Sequence, residues 1–435
     1  TPSGSTLAAN ASAPPSASAS SAVAAVLACK ELRTTALSRA FWYGSLANVR
    51  IAADAKGALV TWQEHDDPQM GDSSQVGEAI AVPRDAGTKV PAIVLPARAY
   101  AAAVYTTLTP TRVEGALELL AYGVSGAPSF ELYKGGLEPW RKSNPTSDPF
   151  SASPPPSWKT AQLPFSYGDS LTAAATMPLA ILGGLEAPCA SYYTCPQYAD
   201  ALQKGMPRSV RSLSFASGKP ESELLYKAPN IEGPKKTFAP AIASNEKADK
   251  AFGAYRVSSD LYGVWFDSRG KKDGEPFVIA HGADVGAPAV AFSGDVPYVV
   301  WAERAGPKDV YQLHLARIEK GSAENLGRLD AGLAPNEHAL APALACLGNT
   351  LFVAWSSGDE AGAKGRVHLA TINKGVAKVQ GDAPLAFAHT EAITAEGNHR
   401  DPELAAFGDR LYVVWSDFTT KKREGTPTLR ELSCL

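Results

Sequence analysis

Short apolar runs and polar breaks alternate along most of this chain, and the runs keep a common frame. Pro288-Ala-Val-Ala-Phe-Ser-Gly-Asp-Val-Pro-Tyr-Val-Val-Trp301, Pro342-Ala-Leu-Ala-Cys-Leu-Gly-Asn-Thr-Leu-Phe-Val-Ala-Trp355 and Pro402-Glu-Leu-Ala-Ala-Phe-Gly-Asp-Arg-Leu-Tyr-Val-Val-Trp415 superpose residue for residue. Val49 to Trp62 is a looser copy, and Pro240 to Trp265 fits with 12 extra residues in its middle. Each unit opens with about five alternating apolar and small residues, a period-2 strand pattern. A Gly-Asp or Gly-Asn pair follows in the three regular copies, the signature of a tight hairpin. The next run, such as Tyr298-Val-Val-Trp301, is β-branched and aromatic, which suits a strand buried on both faces.

A third strand comes at fixed register. Tyr311 to Ile318 and Arg366 to Ile372 place His314 and His368 each 13 residues after a Trp. Phe277 to His281, Phe130 to Tyr133 and Leu429 to Cys434 fall in the matching place. A weaker fourth strand closes each unit. Four antiparallel strands repeated in this way make a β-propeller blade. Tyr122, seven residues after Gly115, marks a degenerate second blade. The length before Pro240 leaves room for a third, including Thr172 to Leu182 and Ser209 to Ala216. Starts near 49, 110, 175, 240, 288, 342 and 402 predict an all-β, seven-bladed propeller of mean spacing about 59 residues, though six or eight blades also fit. The last blade lacks its outer strand. The segment around Val23 to Leu32 is expected to supply it, closing the ring by pairing the two ends of the chain and bringing Cys29 to Cys434.

Composition refines this picture. Residues 1–25 are Ala, Ser, Pro, Gly, Asn and Thr with almost no large apolar side chain, and read as a flexible tether. Residues 26–435 are expected to form one propeller domain, with insertions near 135–162 and 188–206 that carry most of the prolines and aromatics outside the repeat. The formal net charge of -3 and the lack of a basic run speak against nucleic acid as a partner. No stretch approaches the roughly 18 apolar residues of a membrane-spanning helix. Cys189 and Cys195 bracket a short loop and suit a local disulfide, while Cys346 falls in a strand and reads as a buried thiol. Two disulfides and a polar leash fit an extracytoplasmic protein, periplasmic, outer-membrane-surface or secreted, with a lipid anchor upstream of Thr1; a trimmed cytosolic chain is the alternative.

Candidate chemistry gathers at one end of the strands. Two residues after the frame Trp stand Glu64, Asp267, Glu303 and Asp417, with Ser357 as the exception. With His65, Asp66, Asp359, Glu360 and the loop residues His338 and His399, they predict an acidic rim on one face. Such a rim can take a cation or a basic or sugar ligand. The stronger reading is a set of turn caps, some paired with a nearby arginine such as Arg269 or Arg304. No metal site or cofactor is assigned from it. No Gly-x-Ser-x-Gly, His-Glu-x-x-His or phosphate loop occurs.

Val300-Trp-Ala-Glu-Arg304, Val264-Trp-Phe-Asp-Ser-Arg-Gly270 and Tyr412-Val-Val-Trp-Ser-Asp417 resemble the blades of secreted bacterial sialidase-type repeat propellers. The resemblance covers Val49 to Leu435 and is strongest from Pro240 onward. The Asp-box and the arginine signature of that family are absent, so it implies a scaffold and carries no catalytic residue. The main expectation is a non-catalytic envelope propeller that binds a protein or glycan partner. The alternatives are a glycan-active hydrolase or lyase and a structural subunit of an envelope complex. A deep axial pocket with perturbed carboxylates would favour the enzyme, and a shallow aromatic loop surface the binding module.

Overall fold

The computed structural model describes residues 29–37, 44–66, 75–84, 93–94, 106–113, 116–125, 127–133, 159–162, 165–174, 176–186, 208–216, 220–228, 238–360, 364–373, 378–379, 383–390, 391–419 and 425–434. They form seven four-stranded antiparallel sheets and no helix. The chain enters on β1 (Cys29–Ala36). Blade 1 is β2 (Gly44–Asp54), β3 (Gly57–Asp66), β4 (Gln75–Pro83) and β5 (Ile93–Val94); blade 2 is β6 (Thr106–Val113), β7 (Ala116–Ser125), β8 (Ala127–Tyr133) and β9 (Lys159–Gln162). Blade 3 is β10 (Phe165–Ala173), β11 (Leu179–Glu186), β12 (Arg208–Ser214) and β13 (Glu221–Lys227); blade 4 is β14 (Ala241–Ser244), β15 (Lys250–Val257), β16 (Asp260–Asp267) and β17 (Phe277–His281). Blade 5 is β18 (Asp284–Ser293), β19 (Val296–Arg304), β20 (Gln312–Glu319) and β21 (Ser322–Arg328); blade 6 is β22 (His338–Leu347), β23 (Thr350–Gly358), β24 (Val367–Asn373) and β25 (His389–Ala392). Blade 7 runs from β26 (His399–Phe407) through β27 (Arg410–Asp417) and β28 (Thr426–Cys434) to β1.

Each blade's first strand touches the first strand of the next, and β26 touches β2, so the ring is closed. The closing strand is β1, in register Cys29 to Cys434, and the two cysteines form a disulfide. It lies a few residues C-terminal to the segment expected from sequence. Residues 1–25, 135–158 and 188–206, with Cys189 and Cys195, lie outside the described residues; residues 159–162, expected to close the first insertion, are instead β9, the fourth strand of blade 2.

The hairpin glycines behave as the Gly-Asp and Gly-Asn pairs imply. Gly294, Gly348 and Gly408 have φ of 61°, 58° and 64°, the left-handed region a two-residue hairpin turn requires.

The core lies between blades. Trp301 packs with Phe252 and Leu261 of blade 4, Trp355 with Tyr298 and Val300 of blade 5, and Trp62 with Tyr412 and Val414 of blade 7. Each frame Trp thus faces the preceding blade, across the closure included. Trp301 and Trp355 stack on the residues opposite them, His314 at 5.6 Å and His368 at 5.0 Å.

Blade 4 corrects the sequence frame. Trp265 lies on β16, its third strand, and is half-buried. Ala241 pairs with Ala254 as Ala289 pairs with Val300, so Tyr255 occupies the Trp position; it is fully buried and stacks on Tyr262 at 5.8 Å. The 12 extra residues are the second strand and its turns, and Phe277–His281 is accordingly a fourth strand. In blade 2, Ala116 pairs with Val113 as Val296 pairs with Ser293, so the residue five further on, Ala121, takes the Trp register in place of Tyr122. Cys346 lies outside the disulfide and is half-buried, less enclosed than expected.

Candidate functional site

Pairing places the predicted rim residues. His399 pairs with Asp417, His338 with Gly358 just before Asp359, and Val285 with Glu303, so these groups share the face where first strands begin and second strands end. Glu64, His65 and Asp66 end β3 on that face, and their side chains lie outside the described residues. Asp267 ends a third strand and pairs with Lys250, which puts it on the opposite face. The expected acidic ring is therefore broken at blade 4.

The described carboxylates of this set hold local structure. Asp267 accepts from the N–H groups of Arg269 and Lys271, both at 2.9 Å, and pairs with the Arg269 guanidinium at 3.1 Å. Burial opposes its ionisation, but these hydrogen bonds outweigh it and hold its pKa below the ordinary value. Asp417 accepts from Thr419 N at 2.8 Å, and Glu303 accepts from Trp301 Nε1 at 2.8 Å. His338 Nδ1 accepts from Tyr311 N at 3.1 Å. His399 is buried, with Nδ1 3.5 Å from Asp417 Oδ1. Asp359 is exposed. Among the described residues no cluster of three or more His, Cys, Asp or Glu could hold a metal ion.

Burial lowers the pKa of His314, His368 and His399, while Glu303, Glu337 and Asp417 respectively oppose the fall. A lowered folded pKa means the unfolded chain binds the proton first, so this stability is present above the free imidazole value of 6.5 and is lost as pH falls below it. We expect the melting temperature to drop from roughly pH 7 to pH 5, and His368→Phe, which keeps the stack on Trp355, to flatten part of the drop. A wild-type melting temperature constant over this window would refute the assignment.

The larger concavity is elsewhere. The first strands of all seven blades enclose an axial channel of ≈ 1390 Å³. Alanines and prolines dominate its wall, and their small side chains leave the lumen open. Several first strands carry a bulge near the frame proline, with register shifts at Ala47/Arg50, Leu340/Ala343 and Arg400/Glu403. Asn48, Ala341 and Asp401 sit in these bulges with φ of 50°, 46° and 49°, and Ala239 precedes Pro240 with φ of 41°. Left-handed backbone costs a non-glycine residue energy, and its recurrence around one cavity marks a shared constraint.

Most of the charged wall belongs to blades 7, 1 and 2, and Glu246 of blade 4 adds one carboxylate. Arg50 Nη1 meets Glu403 Oε1 at 2.6 Å across the seam between blades 1 and 7. Asn48 Nδ2 donates to Gln63 Oε1. Asp401 stands beside them, with no hydrogen bond to its carboxylate among the described residues. Its neighbour Arg400 is turned away, donating to Asn398 Oδ1 at 2.7 Å and covering the Phe418 ring at 5.4 Å. Asp401 is exposed to the channel, and Glu403 beside it is half-buried. Water held between the blades solvates charge less well than bulk water does. Burial raises the pKa of Asp401 against the pull of Arg400 and Arg50. Burial also raises that of Glu403, with Arg50 opposing and Asp401 adding to the rise. Two carboxyl groups and an arginine in one deep cavity can donate a proton, accept one and hold an anion.

Sequence reasoning passed over Asp401, Glu403 and Arg50, though a signal was present. Flanking the frame proline are Ala239 and Ala241, Ala287 and Ala289, Ala341 and Ala343 in blades 4 to 6, but Asp401 and Glu403 in blade 7.

No protein-family model and no curated protein matches this chain. Similar solved structures are propellers. The phage phi92 endosialidase is 8% identical over 94% of this chain and 69% of its own, at TM-score 0.45. Trypanosoma rangeli sialidase is 9% identical over 89% of this chain and 55% of its own, at TM-score 0.42. The GH43 endo-arabinanase from Bacillus licheniformis is 12% identical over 41% of this chain, which spans 64% of that enzyme, at TM-score 0.29. These scores are low, and the matches carry no argument about the chemistry of this chain.

Proposed function

We propose that this propeller is a glycan-active enzyme, a hydrolase or lyase, whose acid–base pair is Asp401 and Glu403 in the axial channel. The observation that carries the reading is the pair itself. Two carboxyl groups sit two residues apart on β26, both lining the axial channel, with Arg50 bound to one of them. Glycoside cleavage needs two carboxyl groups flanking the scissile bond, one to protonate the leaving oxygen and one to act on the other side. Asp401, with no ion pair to hold it charged, is suited to give the proton. Glu403, ion-paired to Arg50, is suited to carry charge. The disulfide between Cys29 and Cys434 fits an oxidising, extracytoplasmic setting. The expected partner-binding rim has less support, because Asp267 leaves it and Asp417 and Glu303 are engaged by Thr419 N and Trp301 Nε1 of their own blades.

The test is turnover on a panel of aryl glycosides and polysaccharides by wild type, Asp401→Asn and Glu403→Gln. Each variant should lose about 10²–10⁴ in kcat while melting as wild type does. A wild type that turns over nothing in the panel, or variants as active as wild type, would sink the reading.

A further inference from the structure

Arg112 lies at the opposite end of the same channel from Asp401. It is the second-last residue of β6, in blade 2. Its guanidinium carbon is 4.9 Å from the ring centroid of Phe407, the last residue of β26 in blade 7. Its Nη1 points at Ala53 O of blade 1, 3.5 Å away. Burial lowers its pKa, and Asp54 of blade 1 and Glu246 beside blade 4 oppose that fall. A side chain from blade 2 that meets blade 1 and reaches blade 7 bridges three neighbouring blades over the lumen.

The level of this crossing follows from register. Asp401 and Phe407 are six residues apart on β26, about 20 Å of strand at most. The residue before the hairpin pair is Arg112 in blade 2, Ala53 in blade 1, Phe292 in blade 5, Cys346 in blade 6 and Ala406 in blade 7. All five line the channel, and Arg112 is the charged one among them. Its long stem and planar head, laid on an aromatic ring, can close a gap that small side chains leave open.

We infer that Arg112 stops this end of the channel. The cavity is then a blind pocket entered from the Asp401 face, and it admits the ends of glycan chains or short glycans but not the interior of a polymer. The chain-end part rests on the proposed glycan activity; the stopper does not. A tunnel open at both ends would let a polymer thread through, whereas a closed floor permits only a terminus to reach the carboxyl pair.

Cys346 stands at the same level and reports on the floor directly. The measurement is its rate of modification in the native protein by a small maleimide and by a maleimide carrying a polyethylene-glycol chain. A contact of cation–π strength corresponds to about tenfold in the population of an open state, so Arg112→Ala should take the bulky reagent about tenfold faster than wild type. The small reagent should react alike with both. Phe407→Leu, which removes the ring face and keeps apolar bulk, should reproduce the gain and serves if Arg112→Ala does not fold. Equal rates with the bulky reagent in wild type and both variants overturn the stopper. Labelling needs no turnover, so a failure to cleave any glycan counts against the acid–base reading alone. On a polysaccharide that is cleaved, wild type should release short products without an early fall in viscosity, and Arg112→Ala should gain that fall. An immediate viscosity loss with wild type overturns the chain-end restriction.

Discussion

Trp355→Ala is expected to destabilise the protein by about 3–5 kcal/mol, the usual cost of truncating a large core aromatic. The Trp355 ring is fully buried. It stacks on His368 at 5.0 Å and on Phe387 at 5.3 Å, both nearly parallel, and packs on blade 5. Its removal opens a cavity at an inter-blade wedge that β-sheets cannot readily collapse to fill. Trp265→Ala should cost clearly less, because that ring is half-buried on a third strand and meets Phe252 and Phe292 edge-on. Tyr255→Ala, at the true Trp position of blade 4, should resemble Trp355→Ala more than Trp265→Ala does. Urea denaturation of the three variants decides the order. If Trp265→Ala proves the costliest, the corrected register of blade 4 is wrong.

Loss of the disulfide should be comparable in size. Cys29 and Cys434 are 405 residues apart, and cross-linking so long a loop removes much freedom from the unfolded chain. The chain-entropy argument gives about 6 kcal/mol for so long a loop, and measured bridges reach about 5, so Cys29→Ser with Cys434→Ser should cost about 4–5 kcal/mol. The closing strand keeps other ties in the double variant. Arg33 pairs with the buried Glu431 at 2.9 Å and donates to Pro83 O of blade 1 at 2.9 Å, so the ring should still close under mild conditions. Melting with and without a reducing agent tests this: wild type should fall to the double variant's value on reduction, and the double variant should not move. Identical melting of all four samples would show that the bridge contributes nothing to stability.

The propeller was legible because its repeats place a rare residue at a fixed point. A Trp at the end of a second strand, 13 residues after a proline, survives loop insertions and needs no knowledge of the partner blade. Blade 4 was misread because it satisfies the wedge with Tyr255, while Trp265, one strand later, mimics the frame. The closing pair, Cys29 with Cys434, followed from counting strands: a blade with three implies a fourth from the other end. The site was less legible. Acidic strand ends draw attention by repetition, yet repetition is what turn caps show, as Asp267 and Asp417 do. Asp401 and Glu403 instead break a repeat of alanines, and their proximity to Arg50 crosses the seam between the first and last blades. That neighbour is 353 residues away in sequence, and only ring closure brings it near.

The use of β1 in the last blade also sets a timetable for biosynthesis. Among the described strands β1 is made before all the others, and its partner β28 after them. At ribosomal speeds of about 5–20 residues per second, the 405 residues between the cysteines take roughly 20–80 s to appear. Throughout that time β1 is an unpaired edge, open to pairing with another chain. Its sequence, Cys-Lys-Glu-Leu-Arg-Thr-Thr-Ala, carries three charges in eight residues, which keeps such an edge soluble while it waits.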